Sequence, residues 1–560
     1  MVINDLVVDM HIVTNKAKHG KKIYNSILLR ESYRENGKVK KRTIANFSNC
    51  PPDEIEAIKL ALKHKADLGN LVSMKEDVHL KEGLSVGAVW TVYQLAKRLG
   101  IESALGNDNV GKLALWQIIA RTLDQGSRLS AVRLVKTHAA CDILGIGQGF
   151  TEDDLYVNLA WLSDQQELIE DRLFAFNKHS GTCELFLYDV TSSYLEGVEN
   201  HFGAYGYNRD GKRGKQQIVI GLLCNAHGDP VSVEVFAGNT QDVKTFGSQV
   251  RKVAIRFGCE KVTFVGDRGM IKTTQIKEIE EGLHYITAIT KAQVDSLIKQ
   301  GHIQLSMFEN ELCEIQTPDG VRYILRKNPV RAEELSNNRL SKRRNIEQAL
   351  INKNIYLSAH PRANILIAEK EISKKIKQLK VDKWLTIHID GRMLNLSADE
   401  DALKELSHLD GCYVIKTDLP EPAANKETVH GRYRDLALVE QAFRTCKTTL
   451  LEVRPVFVRK EKSTRGHVLI VMLAYKIIRH LREAWQQFNV TVEEGLRQLD
   501  TLTSIEVKIG HKGSCLKIPR PREQSQRLLD SLNISLPDVL PHKAVNVDTR
   551  KKLQERRKRI

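Results

Sequence analysis

Apolar and polar positions follow two different rhythms along this chain, and the switches between them mark its parts. Residues 11–47 read as paired strands. KKIYNSILLRESYR mixes apolar and polar residues without a helical period, Asn36-Gly37 supplies a hairpin turn signal, and VKKRTIANF returns. From about 84 to 180 the rhythm is helical: VWTVYQLAKRLG and ALWQIIARTLDQG repeat apolar residues at three and four, each closing on glycine. Trp90 and Trp116 fall inside these patterns and read as core. From 184 to 290 the character changes again. ELFLYDVTSSY, QQIVIGLLCNA and PVSVEVFAG read as three successive strands, then DVKTFGSQVRKVAIRFG as a helix, KVTFVGDRG as a strand, IKTTQIKEIEEG as a helix and YITAIT as a strand. That order predicts a mixed sheet with helices on its faces. Residues 295–408 form a separate block, with charged helical stretches (RLSKRRNIEQALINKNI and AEKEISKKIKQLKVDK) and a strand-like KWLTIHIDGRMLNL. From 409 the α/β character resumes with DGCYVIKTD and a long helical pattern. There is no internal repeat.

Composition narrows the function. A chain of 560 residues is too long for one compact core and predicts three or four domains. The formal net charge is +16 and the pI about 9.2, which points to a polyanion such as nucleic acid. By charge alone, a merely soluble basic protein reads the same. Residues 16–42 hold ten Lys/Arg against two Glu, and Lys38, Lys40, Lys41 and Arg42 lie on the returning strand. A two-stranded ribbon fits a DNA groove, and basic flanks neutralise phosphates; a solvated basic hairpin is the alternative. The end, RKKLQERRKRI, reads as a disordered basic tail. The nine cysteines include no C-x-x-C pair, so neither a zinc ribbon nor a dithiol redox site is expected, and reduced thiols in a cytoplasmic protein are. No apolar run approaches a membrane span, and MVINDLVVDM does not read as a signal peptide.

Two aspartates end apolar strands, Asp189 in LFLYD and Asp267 in VTFVGD. A carboxylate there costs desolvation unless metal coordination or a hydrogen-bonded loop entry compensates it. A third acid is available on a helix. In YRDLALVEQAFRTCK, Leu436, Val439, Phe443 and Leu450 mark an apolar face, and Glu440 is adjacent to it. Lys447 lies two turns after Glu440 on the same side, and Tyr433 seven residues before it on the same line. An ordinary boundary glutamate would look the same. Three hard oxygen ligands from two strands and a helix suit Mg²⁺ or Mn²⁺. A pair of such ions can activate a nucleophile and stabilise the leaving oxygen of a phosphodiester.

The same residues carry a resemblance. The chain is similar to insertion-sequence DDE transposases of the IS-four-like group, whose last acid sits in a Y-x2-R-x3-E-x6-K signature. Tyr433, Glu440 and Lys447 match it, and Leu436 occupies the Arg position, as in the branch where Leu replaces Arg. YDVTSSYLEG, FGAYGYNRDGKRGKQQIVIGLL, VFAGNTQD, VGDRGM and RPVFVRKEKSTRGHVLIVMLAYKI extend the likeness, with residues 295–408 matched least. The resemblance implies an RNase H-like catalytic domain with Asp189, Asp267 and Glu440 as metal ligands and Mg²⁺ or Mn²⁺ as cofactor. It also implies an insertion between the second Asp and the Glu. Their separation of 173 residues is too long for one connection in a compact core.

Other residues, and Tyr433 of the signature with them, are candidates for holding DNA. Lys447, Arg444, Arg454 and His467 follow the third acid and could neutralise phosphates, although Arg444 could be a solvated helix residue and His467 a structural histidine. Gly206-x4-Gly211-Lys212-Arg213 imitates a phosphate loop, but Arg213 replaces Ser/Thr and strand-like sequence follows, so no nucleotide is expected. Asp242 reads as a helix start. Trp384 could stack on a displaced base, with core packing the alternative.

The expected fold is α/β: an RNase H-like mixed sheet flanked by helices, split by an insertion domain, with an N-terminal basic β-hairpin region and a helical domain. The expected boundaries are 1–80 for the hairpin region, 81–180 for the helical domain, 181–294 and 409–490 for the two catalytic parts, 295–408 for the insertion, and 491–560 for a C-terminal region. The expected function is binding of terminal inverted repeats in double-stranded DNA, metal-dependent hydrolysis at the element ends, and attack of the freed 3′-OH on target DNA. A homodimer in the DNA complex and a prokaryotic cytoplasmic setting are implied. A nuclease without strand transfer and a non-catalytic DNA-binding descendant are the rival readings.

Overall fold

The computed structural model describes residues 9–19, 22–35, 38–65, 78–177, 184–257, 259, 262–268, 270–271, 283–309, 311–448, 450–454, 458–509, 514–543, 545, 547 and 549. The expected Asn36-Gly37 turn, the helix expected after Ile271 and the basic tail lie outside them. The chain divides into two compact units.

The first unit comprises residues 1–83 with 503–519 and 537–540. Where a two-stranded ribbon was expected there is a three-stranded antiparallel sheet of β1 (Asp9–His19), β2 (Lys22–Glu35) and β3 (Lys38–Asn46). Ion pairs of Lys40 with Glu35 and of Arg42 with Glu31 tie β3 to β2, and the Arg42 guanidinium lies over the Tyr33 ring. Residues split from the expected C-terminal region return here. Strands Thr503–Ile509, Ser514–Lys517 and Val539–Leu540 form one sheet with β4 (Val78–Ser85).

The second unit comprises residues 84–502, 520–536 and 541–560. Its large sheet has eight strands among the described residues. β5 (Glu184–Tyr194), β6 (Gln217–Asn225) and β7 (Pro230–Ala237) run antiparallel in the order β5-β6-β7. On the other side of β5, β8 (Val262–Gly266) and β9 (Leu283–Ala288) are parallel to it. Beyond β9 follow β14 (Cys412–Thr417), β11 (Arg322–Lys327) and β10 (Cys313–Gln316), all antiparallel. β6 is buried at eight of nine positions and β8 throughout, which explains their unbroken apolar sequences: strands covered on both faces have no polar side to show.

Helices pack one side of this sheet around the helix Glu461–Trp485, whose middle from Val468 to Ile478 is buried all round. It crosses the helix Glu152–Asp164 closely. A Cβ at Gly466 would stand 2.0 Å from the Leu159 carbonyl oxygen, so only glycine fits there. Trp116 is fully buried, and Trp90 is partly buried with its indole N–H donating to Ser535 O at 2.9 Å.

The block 295–408 is not one separate body, because β10 and β11 hydrogen-bond into the large sheet. The part with its own core is the helix Pro329–Ala359, the helix Ile365–Gln378 and a hairpin of β12 (Leu385–Asp390) and β13 (Met393–Ala398), turning at Gly391-Arg392. Trp384 is 3% exposed in that core, which removes it from any stacking role and leaves core packing. Among the described residues, no helix is long and apolar enough to cross a membrane.

Candidate active site

β5 and β8 bring the two aspartates together. Tyr188 pairs with Gly266, the last residue of β8, so Asp189 and Asp267 are the next residues side by side. Adjacent strands lie roughly 4.8 Å apart. The Asp189 carboxylate is partly buried and accepts the Val190 N–H at 2.8 Å. Asp267 is exposed and accepts the Arg268 N–H at 2.7 Å, while its carbonyl accepts the Met270 N–H at 3.0 Å, so the chain turns away directly after the strand.

Glu440 is exposed on the helix Leu436–Lys447, whose buried Leu436, Val439 and Phe443 seat it against β5 and β6. The expected long helix is two. Tyr433 lies in the last turn of the helix Lys426–Arg434, and Asp435, whose N–H bonds back to Gly431 and Arg432 carbonyls, makes the break. Tyr433 and Glu440 therefore do not share one continuous helix line, whereas Glu440 and Lys447 do. The Tyr433 hydroxyl still reaches Asp267, donating at 3.5 Å, the outer edge of a hydrogen bond. Burial and then the Asp267 charge push its pKa above the ordinary phenol value.

One carboxyl registers the company of the others. Burial lifts the Asp189 pKa to about 7; the Val190 N–H and the Arg209 charge work against the rise, and the negative charges of Asp267 and Glu440 add to it. Among the described residues no three His, Cys, Asp or Glu side chains stand close enough to hold one ion as they are. The chemistry of the donor set nonetheless suits a hard divalent cation. The candidate donors are all carboxylate oxygens, and a cation would relieve the strain on ionised Asp189.

The remaining candidates separate clearly. The Lys447 ammonium donates to Asp210 at 2.8 Å, and the other Asp210 oxygen accepts the Tyr194 N–H at 3.1 Å. Arg444 is exposed near the end of its helix. Arg454 pairs with Glu196 at 3.1 Å and Glu452 at 2.9 Å and lies 4.3 Å over the Tyr194 ring. His467 is 3% exposed, with Nε2 3.1 Å from the Val453 carbonyl; burial and then the Arg121 and Arg128 charges hold its pKa well below the usual value. A neutral interior histidine cannot neutralise a phosphate, so the structural alternative describes it. Lys38, Lys40, Lys41 and Arg42 are all exposed on β3, and strand alternation puts Lys38, Lys40 and Arg42 on one face and Lys41 on the other.

Two residues of the site were missed in the sequence. Arg209 donates its backbone N–H to Ser192 Oγ at 3.1 Å and its guanidinium to Asp242 at 2.6 Å, and Asp210 holds Lys447. They lie in the glycine-rich stretch dismissed as a phosphate-loop imitation. Nothing in local spacing joins position 210 to position 447.

The family described as Transposase DDE domain matches residues 182–477, more than half of the chain, and so takes in all three acids and both strands that carry the aspartates. The chain belongs to the DDE transposase family. The family described as IS1634 family transposase, N-terminal domain, matches residues 10–76 of this transposase, which cover the three strands of the basic sheet except the first residue of β1. No curated protein matches the sequence. As a DDE transposase the protein is an enzyme of DNA transposition, its partner is DNA, and its family in general uses divalent metal ions.

Proposed function

We propose that this transposase cleaves DNA at the ends of an insertion sequence and joins the freed 3′-OH ends to target DNA, with Asp189, Asp267 and Glu440 as its metal ligands. The observation that carries the proposal is the side-by-side placement of Asp189 and Asp267 on paired parallel strands, with Glu440 near enough to raise the Asp189 pKa. Three antiparallel strands followed by two parallel ones, β7-β6-β5-β8-β9, support the RNase H-like reading of the sheet. The IS-four-like signature reading rests on Tyr433, Leu436, Glu440 and Lys447.

Asp189 is the anchored ligand, fixed within its strand. Asp267 stands at the open end of β8. Glu440, exposed on its helix, is the ligand with room to swing inward. Mg²⁺ or Mn²⁺ held there would lower the pKa of an attacking water and stabilise the leaving 3′ oxygen. Tyr433 positions Asp267 through its hydroxyl. Lys447 and Arg444 supply cations to the scissile strand, and Arg454 steadies the Tyr194 end of β5. The exposed bases of β3 neutralise phosphates of the element ends. The complex is a synaptic dimer in a prokaryotic cytoplasm, and residues 329–398 are the insertion domain proper.

The test is a strand-transfer assay with paired labelled element ends, a target plasmid and Mg²⁺. The proposal expects cleaved ends followed by joined products. Cleaved ends with no joined product would reduce the protein to a nuclease. Binding without either product would make it a non-catalytic descendant.

A further inference from the structure

The connection from β5 to β6 spans residues 195–216, far longer than antiparallel neighbours need, and a loop of that length without regular structure usually has a task. It carries two aromatic rings in the open: Tyr205 is 64% exposed and Tyr207 is 83% exposed. Their backbone is held. Ala204 bridges to Gln217, whose side-chain amide donates to Tyr207 O at 3.1 Å and to Gly238 O at 2.8 Å. Between the rings, a Cβ at Gly206 would lie 2.1 Å from the Gly238 carbonyl oxygen, so the chain is pressed against the end of β7. Further on, the Arg209 N–H bonds Ser192, three residues past Asp189, and Asp210 grips both the Tyr194 N–H and Lys447.

Resting on the reading of the acids given above, we propose that this loop is a stacking platform for unpaired bases beside the cleaved strand, with Tyr205 and Tyr207 as its rings. Exposed rings on a pinned backbone lose little conformational freedom on binding, which favours a planar partner. The platform is also cationic. The Arg209 guanidinium, which also pairs with Asp242, lies 5.8 Å from the Tyr207 ring centre, and Lys212 and Arg213 are exposed a few residues further along the loop. Aromatic faces next to cations fit a nucleic-acid strand whose bases are free to stack; a duplex keeps its base faces covered, so the recognised feature is unpaired nucleotides. Gly211 and Gly214, at φ +68° and +73°, let the basic stretch turn tightly back toward β6.

The experiment uses the full chain and two labelled DNA probes, a blunt duplex and the same duplex with a few unpaired nucleotides at one end. The wild type should bind the frayed probe on the order of tenfold more tightly or better, since each stacked base contributes measurably. The double variant Tyr205→Ala/Tyr207→Ala should lose that margin while keeping its affinity for the blunt probe, and Tyr205→Phe/Tyr207→Phe should retain it, because stacking needs the ring and not the hydroxyl. Should the alanine variant melt early, Tyr205→Leu/Tyr207→Leu makes the same comparison with apolar, non-aromatic side chains. No margin in the wild type, an undiminished margin without the rings, or its loss in the phenylalanine variant overturns the platform. Metal-dependent cleavage by the wild type is scored on separate element-end DNA. Its absence would overturn the reading of the acids, while the affinity ratios still decide the platform.

Discussion

β3 and β6 are both nine residues long, and they live in opposite surroundings. β6, QIVIGLLCN, is buried at eight positions and borders the strand that carries Asp189. β3, KVKKRTIAN, is exposed at eight positions and carries Lys38, Lys40, Lys41 and Arg42. The backbone conformation is the same, and the side chains divide the work. Burial on both faces fixes a strand so that the neighbouring carboxylate is held in one place, and that fixity is what metal chemistry needs. Exposure keeps charges hydrated and adaptable, which suits phosphates whose contacts are electrostatic and sensitive to salt. Asp189 shows the cost of the first arrangement, because a carboxyl in that interior is lifted toward neutrality by burial and by its acidic neighbours.

The comparison breaks most visibly when metal is withdrawn. With a chelator present, cleavage should stop altogether while binding of element-end DNA persists, because the exposed cations of β3 need no metal. A gel-shift beside a cleavage assay reads both. If binding vanished with cleavage, the division between the two regions would be wrong.

Next in size is the core. Leu223→Ala in β6 removes a fully buried side chain and should cost about 2–5 kcal/mol of stability. Ile44→Ala in β3, where the side chain is 47% exposed, should stay within about 0.5 kcal/mol. Denaturant melts of the two variants measure the contrast directly.

A pH effect follows from Asp189. Its folded pKa of about 7 lies above the unfolded value near 3.8, so without metal the folded state holds the proton more tightly. That contribution favours folding at low pH and is lost as pH rises from about 4 through 7. Asp189→Asn should therefore raise the melting temperature of metal-free protein at pH 8 and leave it nearly unchanged at pH 4. Equal shifts at both values would mean that the carboxyl is not strained by its surroundings.

The smallest effect on the fold, though not on DNA, is expected from Lys38→Gln/Lys40→Gln. These share one face of β3, and Arg42 is left in place because its partner Glu31 is buried. The Lys40–Glu35 pair is exposed and contributes about 0–1 kcal/mol, so melting should barely move. DNA affinity should fall, and the salt dependence should flatten by roughly 0.9 in log–log slope for each phosphate contact removed. An unchanged slope would take this face out of DNA binding.

Much of this was legible because local sequence controls it. Continuous apolar runs announced β5, β6 and β8, an alternating one announced β7, and an Asp at the end of a continuous run, Asp189 or Asp267, demands compensation wherever it occurs. What was not legible depends on distant partners. β10 and β11 carry no mark that they will extend a sheet whose next strand, β14, begins at Cys412. The strand Thr503–Ile509 pairs with β4, more than four hundred residues earlier, and no periodicity encodes that. The break at Asp435 arises from a tightened turn and leaves the apolar pattern of YRDLALVEQAF nearly intact. His467 belongs to a buried stretch of helix, yet its neighbours in sequence, Arg465 and Lys462, are solvent-facing types that suggest a surface. Asp210 could be linked to Lys447 only by folding the loop back onto the site.

The central claim is that Asp189, Asp267 and Glu440 act together on divalent metal, and Glu440 is its sharpest point because that carboxylate alone comes from a helix. The decisive measurement is single-turnover cleavage of labelled element-end DNA in Mg²⁺ by Glu440→Gln, with Asp189→Asn and Asp267→Asn alongside. All three amides should bind the DNA like the wild type and cut it slower by a factor on the order of 10³ or more, as expected when several kcal/mol of transition-state stabilisation are lost. Cleavage by Glu440→Gln at the wild-type rate would contradict the account and show that another residue completes the site.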